Sequence, residues 1–197
     1  MNAAHRLPVL LSALIATTLG VPAVAAPKLL SDVPLVWKPT SQMNFGAVQS
    51  SLSKIQFQTF KDVRKEPALI GENHEDSTPK PVTTKDDVGA FVTPHIREIF
   101  ERAGLSTVDS GGSVIITGEV RQFDVDETNT YKGDVVLHIV VTSQSGKSLW
   151  EGNTTGSSSR FGRSYKLENY YETLSDAIVD ATGSLLQNSG FQDALKH

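Results

Sequence analysis

The chain has 197 residues, of which 18 are Lys or Arg, 22 are Asp or Glu and none is Cys, and its formal net charge at pH 7 is −4. This length, with 39% hydrophobic residues, suits one globular domain or two at most. The negative balance excludes a strongly basic nucleic-acid-binding protein, and the lack of cysteine excludes disulfides, thiol catalysis, cysteine-ligated zinc and lipid attachment through a cysteine.

The first residues have the layout of a secretory signal peptide. Arg6 precedes an apolar run at residues 7–19, and the small residues Ala23 and Ala25 follow. We therefore predict a signal peptide over residues 1–25, cut after Ala25, and a periplasmic protein that can be peripheral to the outer membrane. An uncleaved membrane anchor is less favoured, because the run is shorter than the roughly 20 residues of a spanning helix. No later segment is apolar enough to span a membrane.

Residues 26–53 are rich in proline and serine and contain only short apolar pairs, which predicts an extended arm. The arm has one apolar patch, at residues 35–37, and we expect Trp37 to contact a partner there. The rest of the chain, residues 54–197, is predicted to form a single domain.

Residues 54–60 alternate between two faces and predict the first strand. The polar, proline-broken segment at 61–83 predicts a long loop, which is a length typical of functional segments. Asp62 and Arg64 open this loop, two positions apart on extended backbone, so their side chains point the same way. They either pair with each other or present a fork to a polar ligand.

Apolar residues spaced by threes and fours predict a helix from the N-cap Thr84 to the glycine cap Gly104. Pro94 interrupts this pattern, because proline lacks an amide hydrogen. The helix either kinks there or is followed by a second helix capped by Thr93. We expect a single kinked helix.

A short strand and turn follow, and then three strands are predicted at residues 113–126, 130–143 and from 148 onward, with a tight turn at 144–147. A final amphipathic helix closes the chain. The order predicts an α+β fold, a two-layer sandwich in which two helices pack on one face of a mainly antiparallel sheet of about four to five strands. The strand before the first helix is expected to pair with the strand after it.

A search for chemistry predicts no catalytic residues, no metal site and no cofactor. The histidines do not have metal-ligand spacing, and neither a nucleophile elbow nor a phosphate-binding loop occurs. Three carboxylates, Asp124, Asp126 and Glu127, lie near a predicted hairpin tip, with Asp124 and Asp126 on one strand face. We interpret them as a charged hairpin end that discourages aggregation, and a calcium site is the weaker alternative.

The strongest candidate for binding precedes the final helix. Arg160, Arg163 and Lys166 gather positive charge beside Phe161 and Tyr165. Such a cluster can bind a carboxylate, a lipid headgroup phosphate or an acidic partner. The alternative is an ordinary solvated loop.

With these elements placed, the chain from about residue 53 to 195 resembles the YajG-like family of small Gram-negative envelope lipoproteins. The shared features are the Asp62–x–Arg64 strand end, Ile70–Gly71, the helix end Ala103–Gly104, the strand VIITGEVRQFDVD, the strand from Tyr131, Gly146–Lys147, Trp150 and a helix from near Asn169. Family members typically carry a lipid-anchoring cysteine, which this chain lacks. The resemblance implies a non-enzymatic envelope protein and supplies no catalytic residues.

Three functions are therefore considered. The first is a periplasmic binding or scaffolding protein whose partner is an envelope protein or outer-membrane component. The second is an accessory factor for outer-membrane assembly or transport that docks through the arm. The third is an envelope glycan-acting enzyme built on the three carboxylates, which we expect least. A homo-oligomer is compatible with all three.

Overall fold

The computed structural model describes residues 30–43, 45 and 53–197, so the predicted signal peptide lies outside the described residues. These residues form eight strands and three helices. In chain order they are β1 (Ile55–Phe57), β2 (Lys61–Asp62), β3 (Leu69–Asn73), β4 (Lys80–Thr83), α1 (Val88–Arg102), β5 (Thr107–Val108), β6 (Val114–Glu127), β7 (Tyr131–Ser143), β8 (Ser148–Arg160), α2 (Leu167–Gln187) and α3 (Ser189–Ala194).

The strands form one mixed sheet, which corrects the expected mainly antiparallel sheet of four to five strands. β6, β7 and β8 make an antiparallel meander, as predicted. β1, β2 and β3 instead run parallel to β6 along its other edge. The expected pairing around the first helix is present, because β1 pairs with β5 in parallel.

The helices cover one face of this sheet, and the α+β class is confirmed. Apolar side chains alternate along β6 and β7, and one set is fully buried beneath α1 and α2. At Gly156 of β8 the two layers meet backbone to backbone, because a Cβ there would lie 2.1 Å from the Ala181 nitrogen of α2. The opposite face of the meander is only half-covered.

The segment at 61–83, expected to be a loop, contains β2 and the hairpin of β3 and β4. The expectation was wrong because each hairpin strand is too short to show alternation and has only one or two apolar residues. Ile70 and Val82 are nevertheless about 1% exposed and belong to the core. Only residues 63–68 and the turn at 74–79 fit the expected loop.

The first helix begins at Val88, with Asp87 and not Thr84 as its N-cap. The Asp87 side chain accepts the Ala90 amide, whereas Thr84 is buried and accepts the Asp86 amide. The helix continues through Pro94 as one element, as expected. Gly104 follows with a φ of 85°, the left-handed conformation predicted for it.

The final helix begins at Leu167, close to the expected start, but it ends at Gln187. Asn188 then accepts the Phe191 amide and caps the separate helix α3. An asparagine at this position favours a new helix start over continuation, because its side chain competes for backbone amides.

A one-residue bulge lies in the middle of β6. Val120 pairs with Leu137 and Gln122 pairs with Val136, so Arg121 has no partner of its own. Before the bulge the buried residues are even-numbered, such as Ile116 and Val120, and after it they are odd-numbered. The bulge therefore changes which residues face the core, from even-numbered residues before Arg121 to odd-numbered residues after it.

Candidate functional site

The segment at residues 161–166 joins β8 to α2 at the end of the sheet where β6 ends. Phe161 is 86% exposed, more than any other large apolar side chain in the described residues. Arg163 and Lys166 are exposed as well. We call these three side chains the Phe161 surface.

A buried carboxylate braces this segment from beneath. Glu127, the last residue of β6, is 0% exposed. The hydroxyl of Tyr170 donates to its Oε2 at 2.5 Å, while the hydroxyl of Tyr131 and the amide of Tyr165 each lie 2.8 Å from its Oε1. One backbone bond of the 161–166 segment therefore ends directly on Glu127.

The same cluster holds a second point of the segment. The Tyr131 hydroxyl also lies 2.6 Å from the carbonyl oxygen of Arg163, and it accepts the Lys166 amide at 3.3 Å. The backbone of the Phe161 surface is thus fixed while its three side chains point away from the core.

The ionisation of the cluster follows from its geometry. Burial opposes the charge on Glu127, but the hydrogen bonds from Tyr170, Tyr165 and Tyr131 outweigh burial and hold its pKa below the ordinary value. Burial, together with the Glu127 carboxylate, raises the pKa of Tyr131 to about 12. The pKa of Tyr170 is raised further for the same reasons. Glu127 is therefore a charged acceptor and both tyrosines are neutral donors at neutral pH.

Tyr165 connects the segment to the turn of the β3–β4 hairpin. It has a φ of 55°, a conformation uncommon for a bulky residue. Its hydroxyl lies 3.0 Å from Oδ2 of Asp76 and 3.1 Å from Nζ of Lys80, and Asp76 and Lys80 also pair with each other. Tyr165, predicted as a contact residue, is therefore engaged within the molecule.

Arg160 is also engaged internally. Its guanidinium pairs with Glu172 and Asp176 of α2 and donates to the Thr40 hydroxyl at 2.8 Å. Its Nε is buried without a hydrogen-bond partner. Arg160 thus joins β8 to α2, in contrast to the exposed Arg163.

The arm lies against its own domain. Thr40 and Ser41 donate their amides to Asp176 at 2.7 and 2.8 Å, and Lys38 donates its amide to the Ser175 hydroxyl. Burial opposes the charge on Asp176, but the bonds from Thr40 and Ser41 outweigh it and lower its pKa. The described residues of the arm have no regular secondary structure apart from the Leu30 bridge.

Trp37, the expected contact residue of the arm, stacks on His95 of α1. The ring centroids are 4.2 Å apart and the planes differ by 7°. Burial lowers the pKa of His95, which keeps the imidazole neutral near pH 7. The structure therefore places Trp37 on the helix layer.

Asp62 and Arg64 pair with each other, which is the first of the two expected alternatives, and they do not present a fork to a ligand. Asp62 accepts from Nε of Arg64 at 2.9 Å and from its terminal nitrogen at 2.7 Å. The remaining donors reach the carbonyl oxygens of Pro67, Leu69 and Phe123. All five guanidinium hydrogens are used, so this pair ties the β2 end to β6.

The three carboxylates of β6 do not share a face. Asp124 and Asp126 lie on the half-covered face as predicted, in a groove of about 430 Å³, while Glu127 points into the core. In that groove His74 lies 3.2 Å from Glu72 and 3.5 Å from Asp126. Within residues 30–43, 45 and 53–197, no group of three or more such side chains has metal-binding geometry.

Two important residues, Glu127 and Asp176, were not singled out for these roles by the sequence. A strict two-residue alternation from Val114 assigns Glu127 to the open face, and only the bulge at Arg121 reverses this. Asp176 lies on the buried side of α2, between Leu174 and Ile178. A carboxylate on the apolar side of a helix indicates a buried group with hydrogen-bond partners, and this was the signal available in the sequence.

Comparison with known proteins supports the fold. Protein XCC0632 from Xanthomonas campestris, of the DUF330 family, matches with a TM-score of 0.53 and 11% identity over 81% of this chain and 93% of its own. Lipoprotein GNA1162 from Neisseria meningitidis matches with a TM-score of 0.36 and 9% identity over 58% and 90% of the two chains. No protein-family model and no curated protein matches the chain.

At 11% identity, the match to XCC0632 shows a shared fold alone, and neither match singles out the YajG-like family. In the part of the chain that the structure describes, no helix combines the length and hydropathy needed to cross a bilayer.

Proposed function

We propose that this protein is a non-enzymatic binding or scaffolding protein of the Gram-negative cell envelope, and that the Phe161 surface contacts its partner. The observation that carries the proposal is the 86% exposure of Phe161 on a backbone fixed by Glu127 and Tyr131. Leaving an aromatic ring in water gives up the free energy of burying it, which is about 1.5 to 3 kcal/mol for a phenylalanine. A rigid presentation of such a ring favours recognition, because little conformational entropy is lost on binding.

The charges beside Phe161 support the same function. Arg163 and Lys166 form no ion pair with any described residue, whereas Arg160 pairs with Glu172 and Asp176 of α2. An aromatic anchor flanked by free cations fits an acidic or phosphate-bearing envelope component.

The arm gives less support to the accessory role in outer-membrane assembly. Its described residues are bound to α1 and α2 through Trp37, Lys38 and Thr40. Docking through the arm would require these bonds to break first. The glycan-acting enzyme also has little support, because Glu127 faces the core while Asp124 and Asp126 face the groove.

The test is photocrosslinking in cells. A photoreactive phenylalanine analogue replaces Phe161 in one strain and Val63, another exposed apolar residue at 48%, in a matched control. We expect adducts with a defined envelope component from position 161, and their loss when Arg163→Glu and Lys166→Glu are added. Arg160 is left unchanged because it holds α2. Equal adducts from positions 161 and 63 would contradict the proposal.

A further inference from the structure

Leu30, the first described residue, forms a parallel bridge with Val82 of β4. Lys80, at the start of the same strand, contacts Tyr165 of the 161–166 segment.

The sequence ahead of Leu30 includes the apolar run at residues 7–19 and only one charged residue before residue 28, Arg6. Such a segment brings the chain to a membrane during export.

The side chains of the Phe161 surface suit an anionic bilayer surface. Phe161 supplies an exposed apolar ring, and aromatic rings are favoured at the boundary between headgroups and acyl chains. Arg163 and Lys166 supply cations, and no acidic residue lies between positions 161 and 167. Two of the nearby acids are neutralised internally, since Asp76 pairs with Lys80 and Glu168 pairs with Lys38.

We propose that the Phe161 surface rests on the surface of an anionic lipid bilayer, with Phe161 in the interface and Arg163 and Lys166 on lipid phosphates. The inference rests on the proposed function and names its partner. One ring and two cations give weak, reversible binding, so the surface makes a peripheral contact and does not anchor the domain alone. The net charge of −4 makes the local cations necessary, because the whole molecule is repelled by anionic lipid.

The experiment uses the full chain and vesicles of equal parts phosphatidylcholine and phosphatidylglycerol with brominated acyl chains. Phe161→Trp places a fluorophore at the surface, and Val63→Trp is the matched control. The native Trp37 and Trp150 give a common baseline, measured in the unsubstituted chain. We expect bromine quenching of the added tryptophan to be about twofold stronger at position 161 than at position 63, because an interfacial ring reaches the acyl boundary.

The cations are tested in the Phe161→Trp background. Arg163→Ala with Lys166→Ala is expected to lower vesicle affinity roughly tenfold or more, and vesicles of phosphatidylcholine alone are expected to give little quenching. The inference is overturned if position 161 is quenched no more than position 63, or if quenching is indifferent to both cations and to phosphatidylglycerol. Thermal melting by circular dichroism checks that each variant is folded.

The two proposals fail separately. If position 161 crosslinks to an envelope protein in cells but is not quenched on vesicles, the proposed function stands and the lipid assignment is overturned. If position 161 gives no specific adduct with protein or lipid, the proposed function itself fails.

Discussion

At the scale of single residues, the fold depends on charged groups buried with complete sets of partners. Glu127, Arg64 and Asp176 are each almost enclosed, and each is bonded by several donors or acceptors. Burial of a charge is costly unless such partners are present. Each residue joins segments distant in sequence, so its substitution affects packing between elements as well as local structure.

Glu127→Gln tests the brace beneath the Phe161 surface. The amide keeps the size of the side chain but replaces a charged acceptor of three hydrogen bonds. We expect a loss of about 2 kcal/mol in the free energy of unfolding, since bonds to charged groups contribute about 1.5–3 kcal/mol each and desolvation of the charge offsets part of this. Urea denaturation of the wild type and the variant measures this change in the free energy of unfolding. Glu151→Gln, on the exposed side of β8, is the control and should change stability by less than about 0.5 kcal/mol.

The advantage of Glu127 over glutamine depends on pH. The folded pKa of Glu127 lies below the ordinary glutamate value of 4.5, so the folded state favours the ionised form. Its contribution is therefore complete above pH 4.5 and is lost as pH falls through the folded pKa. We expect the unfolding curves of the wild type and Glu127→Gln to converge with acidification below pH 4.5. If the difference in unfolding free energy between the two proteins stays constant below pH 4.5, Glu127 is not ionised in the folded protein.

At the scale of elements, the arm behaves as part of the helix layer. Its described residues have no regular secondary structure apart from the Leu30 bridge, yet Val33 is 4% exposed and Trp37 stacks on α1. Asp176 of α2 accepts the amides of Thr40 and Ser41 and the hydroxyl of Thr40. A change at Asp176 can therefore loosen this part of the arm.

Asp176→Asn tests this attachment. The neutral amide weakens the bonds from the Thr40 and Ser41 amides, so local opening of the arm becomes easier. We expect the protection of these two amides against hydrogen exchange to fall about tenfold, which corresponds to about 1.4 kcal/mol. Asp180→Asn is the matched control, because Asp180 bonds the Ser157 amide of β8 and not the arm. Unchanged protection at Thr40 and Ser41 in Asp176→Asn would show that other contacts hold the arm.

The elements also show how far the sequence predicts this fold. Strands β6 to β8 and both main helices were predictable, because long segments display their periodicity many times. The hairpin of β3 and β4 was not, because four or five residues show too little alternation and most of its residues are polar. For the candidate site, the sequence grouped Phe161 and Arg163, which are exposed, with Arg160 and Tyr165, whose internal roles depend on contacts with distant residues.

At the scale of the whole molecule, one continuous core unites the described residues. Leu30 and Val33 of the arm, the sheet and all three helices belong to the same buried cluster. The two tryptophans report on opposite parts of it: Trp37 packs on α1, and Trp150 of β8 contacts Phe191 of α3.

We expect the molecule to unfold in a single transition. In Trp150→Phe the fluorescence of Trp37 follows the arm, and in Trp37→Phe the fluorescence of Trp150 follows β8. Because both rings pack on one core, each fluorescence midpoint in urea should coincide with the far-ultraviolet circular dichroism midpoint of the same variant. A Trp37 transition at clearly lower urea would show that the arm detaches before the domain unfolds.

The bulge in β6 also sets which changes of chain length the protein tolerates. Arg121 is the one residue of that strand without a partner across from it, so its deletion leaves Val120 opposite Leu137 and Gln122 opposite Val136. Removal of Thr117 instead shifts the register of one half of β6 by one residue. The shift turns either buried apolar residues or Glu127 towards the open face of the sheet. Thermal melting of the two deletion variants tests this difference. The variant without Arg121 should be folded, and the variant without Thr117 should not. Homologous chains are thus free to differ by one residue at this point while keeping the same buried face.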